Sequence, residues 1–140
     1  MRSPRSARAA LTVLLLAALT IGLTAAIVPR TFYDDFPFVT RWVELLPPYN
    51  EHLVTDVGSL YLGFAVLLAW AAWTLDRTLV QAVSVAWLLA AGIHLLFHAG
   101  HLGNFSTGDA VAEIASLALL LAPPPIAVWA TSPRPAARAS

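Results

Sequence analysis

Four stretches of this chain are long, apolar and almost free of charge. Ala9–Val28 holds no charged side chain and stops at Pro29 and Arg30. Leu53–Leu75 is interrupted only by Asp56, Leu79–Leu102 carries nothing ionisable except histidines, and Ala110–Ala130 contains only Glu113. A helix crosses about 30 Å of hydrocarbon with roughly 20 apolar residues, so each stretch is long enough. Unpaired backbone cannot face lipid, which leaves helices as the way to use such runs. The chain is therefore expected to be all-α, a four-helix transmembrane bundle forming one integral membrane domain over residues 1–140. The spans are expected at 9–28, 53–75, 79–102 and 110–130. Pro123, Pro124 and Pro125 remove backbone donors, so the fourth helix is expected to end near Ala122 or to kink there.

Composition excludes the main alternatives. Apolar types make up 59% and charged types 11%, against about 25% charge in soluble chains. The 8 arginines and 8 acids cancel, so no net field favours nucleic acid. Lysine and cysteine are absent, which removes Schiff-base chemistry, thiolate nucleophiles, disulfides, iron–sulfur clusters and covalently attached haem. Arg2, Arg5 and Arg8 before the first span resemble a secretory leader. That span is longer than a leader's apolar core of about 7–15 residues and lacks a clean A-x-A site, so it is read as a retained helix. If all four spans cross, Arg2, Arg5, Arg8, Arg77, Arg134 and Arg138 share one side, and Arg30 and Arg41 share the other. The positive-inside bias then places both termini in the cytoplasm of a plasma or inner membrane protein.

Between the first two spans, Phe38, Val39, Trp42, Val43 and Leu46 recur at helical spacing. They predict a short interfacial helix over about 38–46, anchoring the loop or covering a cavity as a lid. Ala18-x-x-x-Gly22 and Ser59-x-x-x-Gly63 are read as small-residue helix contacts, as are Gly58, Gly92 and Gly100. Trp70, Trp73 and Trp87 are read as lipid or interface anchors.

The ionisable residues coincide in depth. Glu51, His52 and Asp56 open the second span on the outer side, His94, His98 and His101 close the third there, and Asp109 and Glu113 open the fourth. Residues four apart differ by about 40° around a helix and residues seven apart by about 20°. His94, His98 and His101 therefore share one stripe. An Asp buried in a bilayer costs at least about 2.5 kcal/mol on insertion scales, so such groups are expected to face inward and find partners. Imidazole and carboxylate together are ligand types for a transition metal ion such as Zn, Fe, Mn or Cu. The candidate metal ligands are thus His94, His98, His101, His52, Asp56, Glu51 and Glu113, with a two-histidine haem b as a variant. On the structural alternative the same groups form an interhelical polar network, with Asp109 capping the fourth span.

Three motifs carry a resemblance: FYDDFP (Phe32–Pro37), PYNEHLVTDVG (Pro48–Gly58) and HLLFHAGHL (His94–Leu102). The chain resembles a family of small bacterial integral membrane proteins with FYDxFP, PYNEHLxxDVG and HLxxHxxH motifs, and its layout is loosely similar to DoxX-like proteins. The resemblance covers about residues 30–105. It implies a compact four-helix membrane protein and carries no reaction over. Its motif positions fall on Asp34, Asp35, Asn50, Glu51, His52, Asp56, His94, His98 and His101. Asp34, Asp35 and Asn50, with Asp109, then form an outer rim. Three functions follow as expectations: an outward-facing metal-binding site, a structural or accessory subunit, or a pathway for protons or a small solute. The expected partners are the lipid bilayer and a homo-oligomer or larger membrane complex, not nucleic acid.

Overall fold

The computed structural model describes residues 3–38 and 40–133, and among these every regular element is helical. The order is α1 (Pro4–Ile27), α2 (Pro29–Asp35), α3 (Glu51–Thr74), α4 (Arg77–Ala99), a 3-10 turn (Leu102–Asn104), α5 (Thr107–Leu119) and α6 (Pro123–Thr131). Four units are long and apolar enough to cross a membrane: α1, α3, α4 and the α5–α6 pair. Arg2, Arg134 and Arg138 of the orientation argument lie outside the described residues, as does Val39.

Local chemistry sets the helix ends. Ser3, Asn50, Asp76 and Ser106 cap α1, α3, α4 and α5 by accepting backbone N–H bonds. Asp109 is not the cap that the sequence suggested. It sits inside the first turn of α5 and accepts the Ser106 hydroxyl, 2.6 Å away. Leu75, at φ 52°, turns the chain in the left-handed region, and Asp76 starts α4 immediately after.

The fourth crossing breaks where the prolines require it. Prolines 123–125 cannot donate to carbonyls one turn back. The Leu120, Leu121 and Ala122 amides tighten into bonds three residues back instead. The Leu120 carbonyl, released by this, accepts the Trp87 indole N–H at 3.1 Å. Trp87 is thus a buried strut, 3% exposed, and not the lipid anchor its position suggested. Trp70 and Trp73 do lie on the outside.

α1 packs along α3 and against α6, while α4 packs mainly on α6. Leu11, Leu14, Leu68, Val80, Val83 and Ala127 fill the core at the end of the bundle that carries Arg5, Arg8 and Arg77. This arginine end is closed. Among the glycines, the tightest fit between α1 and α3 is at Gly58, where an added Cβ would lie 2.4 Å from the Ala26 amide nitrogen. Gly22 faces Leu62 less tightly, at 3.0 Å. Gly63 and Gly92 have open space where a Cβ would stand, and a Cβ at Gly100 would meet only its own helix. The small-residue contact is therefore made by Gly58 and Gly22, because their side of each helix, and not that of Gly63, faces the partner.

The helix expected at 38–46 does not form. Phe36 precedes Pro37 and leaves the helical region at ψ 140°. Phe38 and Arg41 then take φ 52° and 57°, which a right-handed helix cannot contain. Residues 42–46 make two short turns, Leu45 N–H to Trp42 O and Leu46 N–H to Val43 O. The helix of this loop is α2, which Pro29 begins from its first turn and which buries Phe32 and Tyr33.

Candidate functional site

At the opposite, histidine end, α3 and α4 diverge and leave a cavity of about 680 Å³. Volumes of about 300–1,000 Å³ are usual for small-molecule sites. α1 contributes Thr20 and Ile21, α3 contributes Val54, Val57 and Tyr61, and Trp87 lies at the base. The loop supplies the roof through Phe36, Pro37, Trp42, Val43 and Leu46. Although it is not helical, this segment lines the cavity. Two bonds fasten it to the bundle: Trp42 donates its indole N–H to Asp109 Oδ1 at 3.1 Å, and Asn104 donates to the Leu45 carbonyl at 2.8 Å.

The wall is almost wholly apolar, and its imidazole and carboxylate groups come from two helices. His94 and His98 come from one face of α4, with ring centroids 4.4 Å apart. Glu113 is the one buried residue of α5, at 3% exposure. A helix whose single buried side chain is a carboxylate has not been placed by apolar packing alone. His98 Nδ1 approaches Glu113 Oε1 to 2.6 Å, an ion-pair distance, but the approach lies outside hydrogen-bond geometry. Glu113 Oε2, also buried, has no hydrogen-bond partner. The pair thus leaves an unsatisfied acceptor buried beside an apolar chamber that Glu113 helps to line.

The other expected site residues stay apart from this pair. His52 and Asp56 bond each other at 3.2 Å on the exposed side of α3, with side chains 82% and 55% exposed. Neither lines the cavity. Glu51 is exposed and receives the Tyr49 hydroxyl at 3.4 Å. His101 stacks on Phe97 at 4.0 Å and bonds its carbonyl through Nδ1. No group of three or more His, Asp or Glu among the described residues is arranged to hold a metal ion. The seven expected ligands share a slab of depth but not a direction.

The expected rim also divides. Asn50 is the cap of α3, and Asp35 is exposed. Asp34 pairs with Arg30 at 2.7 Å, and its hydrogen bond and charge push the Arg30 guanidinium above its ordinary value. Arg30 also lies over the Tyr49 ring, 5.0 Å from its centre. Asp109 alone touches the site, through Trp42.

The residues that the sequence did not mark are those of the chamber itself. Trp42, Tyr61 and Trp87 line it from three different segments; Trp42 was expected in the loop helix and Trp87 as an anchor, and nothing in the sequence singled out Tyr61. Comparison with known proteins finds no matching family model, no curated relative and no solved structure.

Proposed function

We propose that this is a multi-pass membrane protein that binds an uncharged, lipid-soluble molecule through a hydrogen bond to the His98–Glu113 pair. The observation that carries this reading is the buried, unpartnered Glu113 Oε2 at the wall of an apolar cavity. Leaving a buried acceptor unsatisfied costs about 1–3 kcal/mol, and more when it is charged. A ligand hydroxyl donated to Oε2 would remove that cost. The pair is neutral as a unit whether its proton sits on the imidazole or on the carboxyl, so an ionic head group would add an uncompensated charge. The apolar wall suits the remainder of the molecule.

Arg5, Arg8 and Arg77 at the closed end, against Arg30 and Arg41 at the other, support a histidine end that faces outward. Reporter fusions to both termini are expected to register the cytoplasm.

The binding test uses the protein in nanodiscs with photoactivatable decanol and decanoic acid. Decanol is expected to label the cavity wall at Leu117 and Val57, saturably, and Glu113→Leu is expected to abolish this. Decanoic acid is expected to label only lipid-facing residues. Equal labelling of lipid-facing Leu16 and Leu96 by both probes, with no saturable component in the cavity, would overturn the reading. An accessory role predicts that Glu113→Leu lowers thermal stability and leaves labelling unchanged.

One observation bears on a metal reading: His94, His98 and Glu113 all line one chamber, although they are not grouped as ligands of a single ion. Two imidazoles and a carboxylate are suitable donors for a transition ion. Stoichiometric metal in gently purified protein, lost in His94→Ala and His98→Ala, would favour that reading over the first.

A further inference from the structure

We infer that the ligand is a single-chain amphiphile whose tail leaves the cavity through a slot between α3 and α4 and ends in the surrounding lipid. The inference rests on the binding reading above and adds the shape of the molecule bound. A second recess of about 130 Å³ lies between these helices, deeper toward the arginine end. It shares Val57, Tyr61, Trp87 and Ala91 with the main cavity, so the two adjoin across these side chains. Leu60, Phe64 and Ala90 line the slot alone.

The slot exists because the two helices of the hairpin have different partners. α3 is held along α1, and α4 mainly along α6, and at this level the seam between them is bridged by the rings of Tyr61 and Phe64 set edge-on to Trp87, with the recess beside them. Ala90 and Ala91 place small side chains where larger ones would fill the gap. Leu60 is 68% exposed and Ala90 is exposed as well, so the slot opens on the outer surface of the bundle. On a chain that crosses a membrane, that surface meets acyl chains.

Geometry selects the occupant. A helix of a partner protein is about 10–12 Å across with its side chains, far too wide for this recess. A flexible hydrocarbon chain is narrow enough. The slot walls offer no charge, and their hydroxyl is that of Tyr61, so a head group gains little there. The polar end belongs beside His98, which lies seven residues, about 10 Å, along α4 from Ala91. Head group, chamber, slot and lipid follow in one line.

The experiment compares octanol and octadecanol, each with a photoactivatable group at the terminal carbon, in nanodiscs. In the wild-type protein the octadecanol terminus is expected to label Leu60 and Phe64, and the octanol terminus to label the chamber near Leu117. Ala90→Phe, which fills the slot, is expected to weaken octadecanol labelling about tenfold, equivalent to ~1.4 kcal/mol, and to leave octanol within about twofold. Ala90→Ser serves as the conservative control and is expected to retain both.

If neither alcohol labels the wild-type chamber, the binding reading itself fails. If both label it and Ala90→Phe affects them equally without loss of thermal stability, the slot inference fails while binding stands. If Ala90→Phe unfolds, the wild-type map decides. Octadecanol termini spread over Leu16 and other faces remote from the slot would overturn the inference.

Discussion

Replacing Gly58 by alanine tests the packing on which the site depends. The new Cβ would lie 2.4 Å from the Ala26 amide nitrogen and 2.8 Å from the Ala25 carbonyl carbon and Ala26 Cα. Ordinary contact begins at 3.4 Å, so α1 and α3 must part by about 1 Å at this level. The obstructing atoms are backbone and cannot rotate away. Overpacking of this kind costs about 1–3 kcal/mol, and the rigid neighbour places Gly58→Ala toward the upper part of that range. Gain from helix propensity, about 1 kcal/mol in water, shrinks in lipid, where the segment is helical before the bundle assembles. Gly63→Ala, five residues further along α3, meets nothing within 4 Å and is expected to be neutral. Gly22→Ala meets the flexible Leu62 side chain at 3.0 Å and should fall between the two. Unfolding in mixed micelles of mild detergent and SDS measures all three. A Gly58→Ala protein as stable as wild type, or a Gly63→Ala protein equally weakened, would refute the argument.

Three further outcomes follow from contacts already described. Removing one member of the His98–Glu113 pair, by His98→Leu or Glu113→Leu, is expected to destabilise by about 3–5 kcal/mol, whereas the double substitution should recover most of that loss; additive losses in the same unfolding assay would contradict this. Trp87→Phe keeps the ring but strands the Leu120 carbonyl, at a cost of about 1 kcal/mol; unchanged stability would show that the indole N–H is not the strut described. Trp42→Phe releases the loop from Asp109. Hydrogen exchange should then accelerate at the Leu45 and Leu46 amides and stay constant in the middle of α3, and uniform protection throughout would deny the loop its tether.

The spans were legible because lipid imposes one requirement on every residue within them. A continuous apolar run fixes a crossing whatever its neighbours do, and three consecutive prolines fix a break. The loop was not legible in the same way. Phe38, Trp42, Val43 and Leu46 have helical spacing, but Pro37 and two left-handed residues prevent the helix, and the same side chains became a roof. Depth along each span was also readable, which is why His94, His98 and Glu113 were marked together. Azimuth was not. Whether Asp56 points at α4 or away from it depends on how α3 rolls against α1. That roll is set by Gly58, a contact whose partner, Ala25–Ala26, lies more than thirty residues earlier. His52 and Asp56 therefore stand apart from His94, His98 and Glu113.

The proline break lets one crossing perform two tasks that a straight helix would confuse. Its lower piece, α6, is wedged with α1 and α4 in a dense plug, while its upper piece, α5, leans over the hollow and carries Glu113 into it. The molecule is in consequence a cul-de-sac. Whatever enters can exchange with the near leaflet and the near aqueous face, and a through-going file of water or ions would have to displace Leu11, Leu14, Leu68 and Val83. On the proposed binding reading, a sealed floor fits retention of a molecule and not its passage through the bundle.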